Sequence, residues 1–235
     1  MFEELDYEMT ALGPLVLRRR RSPAHRNAWV YEVTIDGEFL MSSAVKDSEL
    51  ALATLPLQRW PAEDSIGREL RVLVGGLGLG YTALAALEHP LVRKLIVVEF
   101  LEPVMRWHRE GLVPAARELL EDPRTEILHA DFFELMQSGS ADPKNLDAIL
   151  LDIDHSPEAL LHERHASFYE ERGLQRLAAR LVPDGVFALW SADAPAESFL
   201  DSLRAVFPQV ECQTIRFDVP HMHCEDENFI IIASS

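Results

Sequence analysis

Residues 71–80, RVLVGGLGLG, decide the fold of this chain when read together with Glu99, about one βαβ unit later. Arg71 to Val74 is a short apolar, β-branched run. Gly75, Gly76, Gly78 and Gly80 follow it, directly before a helical pattern that starts at Tyr81. The spacing predicts a buried strand, a tight turn and a helix. A turn without side chains lets a ligand approach the backbone and meet the N–H groups at the helix N-terminus. The next apolar run, Lys94 to Val98, ends in Glu99, a carboxylate at the tip of the second strand that is placed to accept from both hydroxyls of a ribose. The pattern points to a nucleoside-bearing ligand.

A dinucleotide fingerprint, G-x-G-x-x-G/A, wants a small third residue for helix–strand packing, and counted from Gly76 and Gly78 that position is Tyr81. The spacing here is G-x-G-x-G. It resembles the first motif of S-adenosylmethionine-dependent transferases, in which the acid after the second strand holds the ribose. On this basis Gly76, Gly78, Gly80 and Glu99 are expected to line the site.

Beyond the turn, strand and helix patterns alternate, which demands a parallel sheet with right-handed crossovers. Strands are expected at 71–75, 94–99, 126–129, 147–152 and 186–190. Helices are expected at 80–88, 102–110, 113–121, 158–181 and 195–206. Two last strands, about 209–217 and 228–233, have no helix between them and must pair antiparallel. The expected fold is α/β, a seven-stranded methyltransferase-like Rossmann-type sheet closed by an antiparallel hairpin. A small N-terminal β region precedes it: 13–43 reads as antiparallel strands, with Asp36-Gly37 as a two-residue hairpin turn. A helix over 49–55, capped by Asp47 or Ser48 and closed by Pro56 and Pro61, would join the two, giving domains of 1–60 and 61–235.

Ligands of such sheets lie across the carboxyl ends of the strands. Strand three leads to Asp131-Phe132. Asp131 is placed to accept from an adenine amino group or to cap the helix that follows, and Phe132 to pack on the ring. Strand four ends in Leu151-Asp152-Ile153-Asp154-His155-Ser156-Pro157. Two carboxylates and an imidazole in four residues make Asp152, Asp154 and His155 the catalytic candidates, since an amine attacking a sulfonium must be neutral and aligned. Their bland alternative is an acidic turn with an exposed histidine. His221, His223 and Cys224 precede Glu225, Asp226 and Glu227 in the last hairpin; a polar hairpin tip explains them more simply than a metal site, and no metal is expected.

The 235 residues are 48% hydrophobic and 26% charged, which suits one globular unit with a small appendage. The net charge of −17 argues against a nucleic-acid surface and suits a cationic small substrate. Apolar runs are too short to span a membrane and the acidic start MFEELDYEMT has no signal-peptide profile, so a cytoplasmic protein without membrane contact is expected. Two cysteines, Cys212 and Cys224, make no disulfide framework. Arg18 to Arg21, four arginines in a row, are expected on an exposed strand, with contact to an anion or partner as the lesser alternative.

Over nearly its whole length the chain resembles the spermidine synthase family, the polyamine aminopropyltransferases. The likeness lies in VTIDGEFLMSS, Leu55-Pro56-Leu57, VLVGGLGLG, VVEF, LDAILLDIDHSP, SFYEERGLQRLAARLVPDGVFAL and NFIIIAS. It implies a small β domain on a methyltransferase-like domain, a homodimer, and contacts from Gly76, Gly78, Glu99, Asp131 and Asp152 to the nucleoside of decarboxylated S-adenosylmethionine or a relative. Three departures stand out. The family's GGGDG turn has lost its aspartate, His155 stands where D-S-x-D-P has its second aspartate, and Ser48-Glu49 replace a Tyr-Gln/His pair. With the acceptor motif altered, the sequence places methyl transfer from S-adenosylmethionine to a small molecule first. Aminopropyl transfer to a cationic amine comes second, and a non-catalytic nucleoside-binding protein third.

Overall fold

Leu70–Gly75 (β5) and Leu146–Leu151 (β8) are apolar on both faces, so they need cover on both sides. In the computed structural model, which describes residues 1–61, 67–138, 143–219 and 224–234, they lie side by side at the centre of a seven-stranded sheet. The other strands are β6 (Val92–Glu99), β7 (Thr125–His129), β9 (Leu181–Ser191), β10 (Gln209–Val219) and β11 (Cys224–Ser234), in the order β10-β11-β9-β8-β5-β6-β7. Strands β7, β6, β5, β8 and β9 pair parallel, and β11 runs antiparallel between β9 and β10. The expected sheet, with its closing hairpin, is the one observed.

The period of two along each strand divides the interior into two layers. Val72, Val74, Val97, Ala148, Leu150 and Ala188 face one core, completed by Leu52 of α1 (Asp47–Leu57), Ala86 of α2 (Tyr81–Glu88), Trp107 of α3 (Glu102–Arg109) and Leu119 of α4 (Ala116–Glu121). Leu73, Ile96, Val98, Ile149, Leu151 and Phe187 face the other. That core is closed by Phe133 of α5 (Phe132–Gln137), Phe168 of α6 (Ala166–Tyr169), Leu174 of α7 (Glu171–Ala178) and Phe199 of α8 (Glu197–Arg204).

An antiparallel four-stranded sheet, β1 (Phe2–Thr10), β2 (Gly13–Ser22), β3 (Ala28–Ile35) and β4 (Glu38–Ser42), precedes this unit. Asp36 and Gly37 both take positive φ in the β3–β4 turn, as the hairpin signal requires. Strand β1 was not among the expected strands. Its carboxylates hide it: Glu3 pairs with Arg19 at 2.7 Å, and Asp6 and Glu8 hold Arg106 of α3 at 2.6 and 2.7 Å. The arginine run is consumed in the same way. Arg18 and Arg20 both pair with Glu32 of β3, and Arg19 and Arg21 lie over the Trp29 ring.

Two helix expectations change. Helix α1 begins at Asp47 after Lys46, neither Asp47 nor Ser48 caps it, and Pro56 lies inside its last turn rather than beyond it. The long helix over 158–181 is replaced by turns, the short α6 and α7, and the start of β9. Ser156 Oγ accepts from the N–H groups of Glu158 and Ala159, and Asp154 takes that of Leu161, so side chains use the donors a helix would need. No described helix is long and apolar enough to cross a membrane.

Candidate active site

The glycine turn leaves β5 at the carboxyl edge of the sheet. Gly76 N–H donates to Val98 O at 2.9 Å, and Gly80 N–H closes the turn on Leu77 O at 2.8 Å. Gly76 and Gly80 have φ of +95° and +90°, and a Cβ on Gly76 would lie 2.2 Å from the carbonyl oxygen of Asp152. Only glycine fits there, because the turn and the loop after β8 touch backbone to backbone. Gly78 has φ of +47°, and Met41 of β4 lies against it, its sulfur 3.0 Å from where a Cβ would be. The N-terminal sheet therefore reaches over the turn.

Glu99 stands at the end of β6 as expected, but its carboxylate is occupied. Oε2 accepts the Leu77 N–H at 2.9 Å and Oε1 the Leu101 N–H at 2.7 Å. Burial raises its pKa, opposed by these backbone donors. Glu99 thus buckles the glycine turn to the second strand. His108 of α3 braces the same turn from below: it is buried and its Nε2 lies 3.0 Å from Gly78 O, which makes Nε2 the donor. Burial lowers the His108 pKa and keeps the ring neutral. No sequence signal marked His108, which sits in an ordinary amphipathic helix.

Asp131 caps α5, with Oδ1 accepting from Phe133 and Glu134 N–H, while Oδ2 receives Arg164 at 2.7 Å. Its capping role is met directly. Phe132 is 2% exposed and packs edge-on to Phe133 and Phe168, and a Cβ on Gly75 would come within 2.7 Å of its ring. The ring supports the glycine turn from inside the core instead of presenting a face to the cleft.

The loop after β8 separates the three catalytic candidates. Asp152 is half-buried beside the turn, with Oδ2 accepting from the Thr82 hydroxyl at 3.0 Å. Burial pushes its pKa up to about 6 against the Thr82 hydrogen bond. Asp154 turns inward. Its side chain is fully buried and accepts from Leu161 N–H at 2.8 Å, His165 Nδ1 at 2.9 Å and the Tyr169 hydroxyl at 2.8 Å. These three donors tie Asp154 to the loop, and its side chain is buried away from Asp152 and His155 rather than beside them. His155 is half-buried, and its carbonyl fixes the Ala192 N–H at 2.7 Å.

A carboxylate outside the expected set lies near enough to Asp152 to feel its charge. Glu49 of α1 receives Ser48 Oγ at 3.1 Å. Burial, and next the Asp152 charge, push its pKa up to about 7. A charge on Asp152 resists ionisation of Glu49. Helix α1 packs on α2, whose first residue Tyr81 also feels the Glu49 charge. The sequence displayed Glu49 as a departure from a family pattern, but its meeting with Asp152 depends on packing between residues about a hundred positions apart. His221 and His223 fall outside the described residues, and Cys224 is exposed at the start of β11. Among the described residues no cluster of His, Cys, Asp or Glu could hold a metal.

No family model matches the chain. In sequence it is 31% identical over 146 residues to polyamine aminopropyltransferase 1 of Hyperthermus butylicus, covering 60% of this chain and 49% of that protein. The chain spans about half the length of the curated relatives it matches. In structure it superposes on a spermidine synthase crystallised with the transition-state analogue AdoDATO, with a TM-score of 0.73 at 22% identity, covering 98% of this chain and 73% of the other. Human methyltransferase-like protein 13 in complex with SAH matches with a TM-score of 0.55 at 24% identity, over 80% of this chain and 78% of the other. The chain thus has the methyltransferase-like fold in the form seen in spermidine synthases, and its resemblance to the spermidine synthase family, first carried by the glycine turn and Leu55-Pro56-Leu57, extends to the whole fold.

Proposed function

We propose that this protein is an aminopropyltransferase that uses decarboxylated S-adenosylmethionine to alkylate an amine. The observation that carries this reading is Asp152, a half-buried carboxylate with the Thr82 hydroxyl as its side-chain partner, pressed against a glycine turn in a chain whose sequence relatives are polyamine aminopropyltransferases. The nucleoside would lie across the turn between Glu99 and Asp131, and the sulfonium near Asp152. In the transfer, the amine nitrogen lone pair forms a bond to the propyl carbon attached to sulfur. The carbon–sulfur bond breaks, its electron pair stays on sulfur, and methylthioadenosine leaves. The nitrogen then carries an extra proton, which Asp152 is placed to take, since a pKa of about 6 makes it a stronger base than an ordinary aspartate.

The sequence placed methyl transfer ahead of this reaction, and the relatives favour the reverse order. Purified protein incubated with decarboxylated S-adenosylmethionine and a panel of diamines and polyamines is expected to release methylthioadenosine and an aminopropylated amine, both read by mass spectrometry. Release of S-adenosylhomocysteine from S-adenosylmethionine, with no methylthioadenosine from the decarboxylated donor, would restore methyl transfer. Nucleoside binding without either product would leave a non-catalytic binding protein.

A further inference from the structure

Asp152 and Glu49 are distant in sequence, but α1 packs on α2, whose Thr82 holds Asp152 beside the glycine turn, and this brings Glu49 near enough to feel the Asp152 charge. Among the described residues neither forms an ion pair. The charges around Glu49 do not relieve it: Asp47 on its own helix adds repulsion, and Lys46 Nζ lies 5.1 Å from the Tyr81 ring centroid, held over that ring. Across the interface Thr82 presents a hydroxyl, which donates to Asp152, and the Tyr81 side chain feels the Glu49 charge. Ser48 Oγ lies 3.1 Å from Glu49 Oε2 and 3.0 Å from Asn228 Oδ1 of β11, and its single proton serves one of these acceptors at a time. The start of α1, and with it the backbone of Glu49, is set by packing on α2 and on β11.

Two partly desolvated carboxylates without a counter-cation are costly, and a ligand bearing a positive charge removes the cost. An ammonium group offers three donors to two acids. A carboxylate brought to the same wall would be a third like charge, so the arrangement selects by repulsion as well as attraction. Decarboxylated S-adenosylmethionine ends its transferable arm in an ammonium alone, and S-adenosylmethionine carries an additional carboxylate on that arm.

We infer that Glu49 is the donor-discriminating residue of this site: together with Asp152 it receives the ammonium of the aminopropyl arm and turns away the carboxylated donor. This rests on the aminopropyltransferase reading. It also relocates to α1 a negative charge that the glycine turn of this chain does not supply.

The test is calorimetric titration of wild type and Glu49→Gln with three ligands: decarboxylated S-adenosylmethionine, S-adenosylmethionine, and methylthioadenosine, which has the nucleoside and no arm. Wild type is expected to prefer the decarboxylated donor. Glu49→Gln is expected to weaken that donor by about tenfold or more, the loss of a hydrogen bond between charged groups. Methylthioadenosine affinity should stay as it is, and the ratio between the two donors should move towards one. A variant that keeps the wild-type ratio would overturn the role of Glu49 and leave the proposed reaction standing. Wild-type protein that binds none of the three ligands would remove the proposed reaction itself, and this inference with it. Glu49→Ala carries the same expectation and serves if the glutamine variant does not fold.

Discussion

The carbonyl oxygen of Asp152 lies where a methyl group on Gly76 would have to be, at 2.2 Å, and the Gly76 backbone is left-handed. Gly76→Ala therefore has to separate the turn from the loop after β8 as well as bear the backbone strain. A loss of about 2–4 kcal/mol of stability is expected in chemical denaturation, with nucleoside binding falling alongside it. A variant as stable as wild type would show that the two segments do not touch. Glu49 makes a pH-dependent contribution. Its pKa is about 7 in the folded chain against an ordinary value of 4.5, so the folded state favours the protonated carboxyl. Below pH 4.5 both states hold the proton and no cost arises. Above pH 7 the folded state bears the full cost of a desolvated charge next to Asp152. Glu49→Gln is thus expected to be more stable than wild type at pH 8 by on the order of 1–2 kcal/mol, a figure reduced for solvent screening at a half-buried site. The advantage should vanish between pH 7 and 4.5. Melting curves of both proteins across that range check it, and a constant offset would rule out titration of Glu49 as the cause.

Among the elements, the loop from Asp152 to His165 is where sequence reading and structure part. A helical pattern over 158–181 was legible, but three donors converging on Asp154 from Leu161, His165 and Tyr169 fix a turn instead, and nothing local in the sequence announces that. Asp154→Ala would leave those donors unpaired in the core and is expected to cost about 3–5 kcal/mol, measured by denaturant unfolding. A loss under about 1 kcal/mol would mean that water reaches the loop and that Asp154 is free to serve a ligand. The central strands could be read because burial on both faces leaves a continuous apolar run, as in LDAILL. The glycine turn could be read because φ values such as +95° leave no other residue. Strand β1 and the Glu49–Asp152 wall could not. The first is an acidic segment made acceptable by Arg19 and Arg106, and the second depends on α1 packing on α2 and on the sheet.

At the scale of the molecule, two sheets share one interior. Leu15 and Leu17 of β2 and Val33 and Ile35 of β3 lie in the same buried cluster as Val72 and Val74 of the central strand, with Leu52 of α1 between the modules. The N-terminal sheet is also tied from outside, where Asp6 Oδ2 accepts from both Arg106 and Trp107 Nε1 of α3. A module that shares its core cannot melt alone without exposing its neighbour's apolar face. Leu17 is fully buried, so Leu17→Ala is expected to cost about 2–5 kcal/mol, the range for a cavity in a packed core. The loss should fall on the whole chain. Calorimetry should show one transition moved down by about 2–4 °C per kcal/mol, with the calorimetric and van't Hoff enthalpies still equal. If the variant instead shows a separate early transition with the main one unmoved, the N-terminal sheet is an independent unit. Glu49 would then depend on a docking equilibrium for its place beside Asp152, and donor discrimination would weaken along with that early transition.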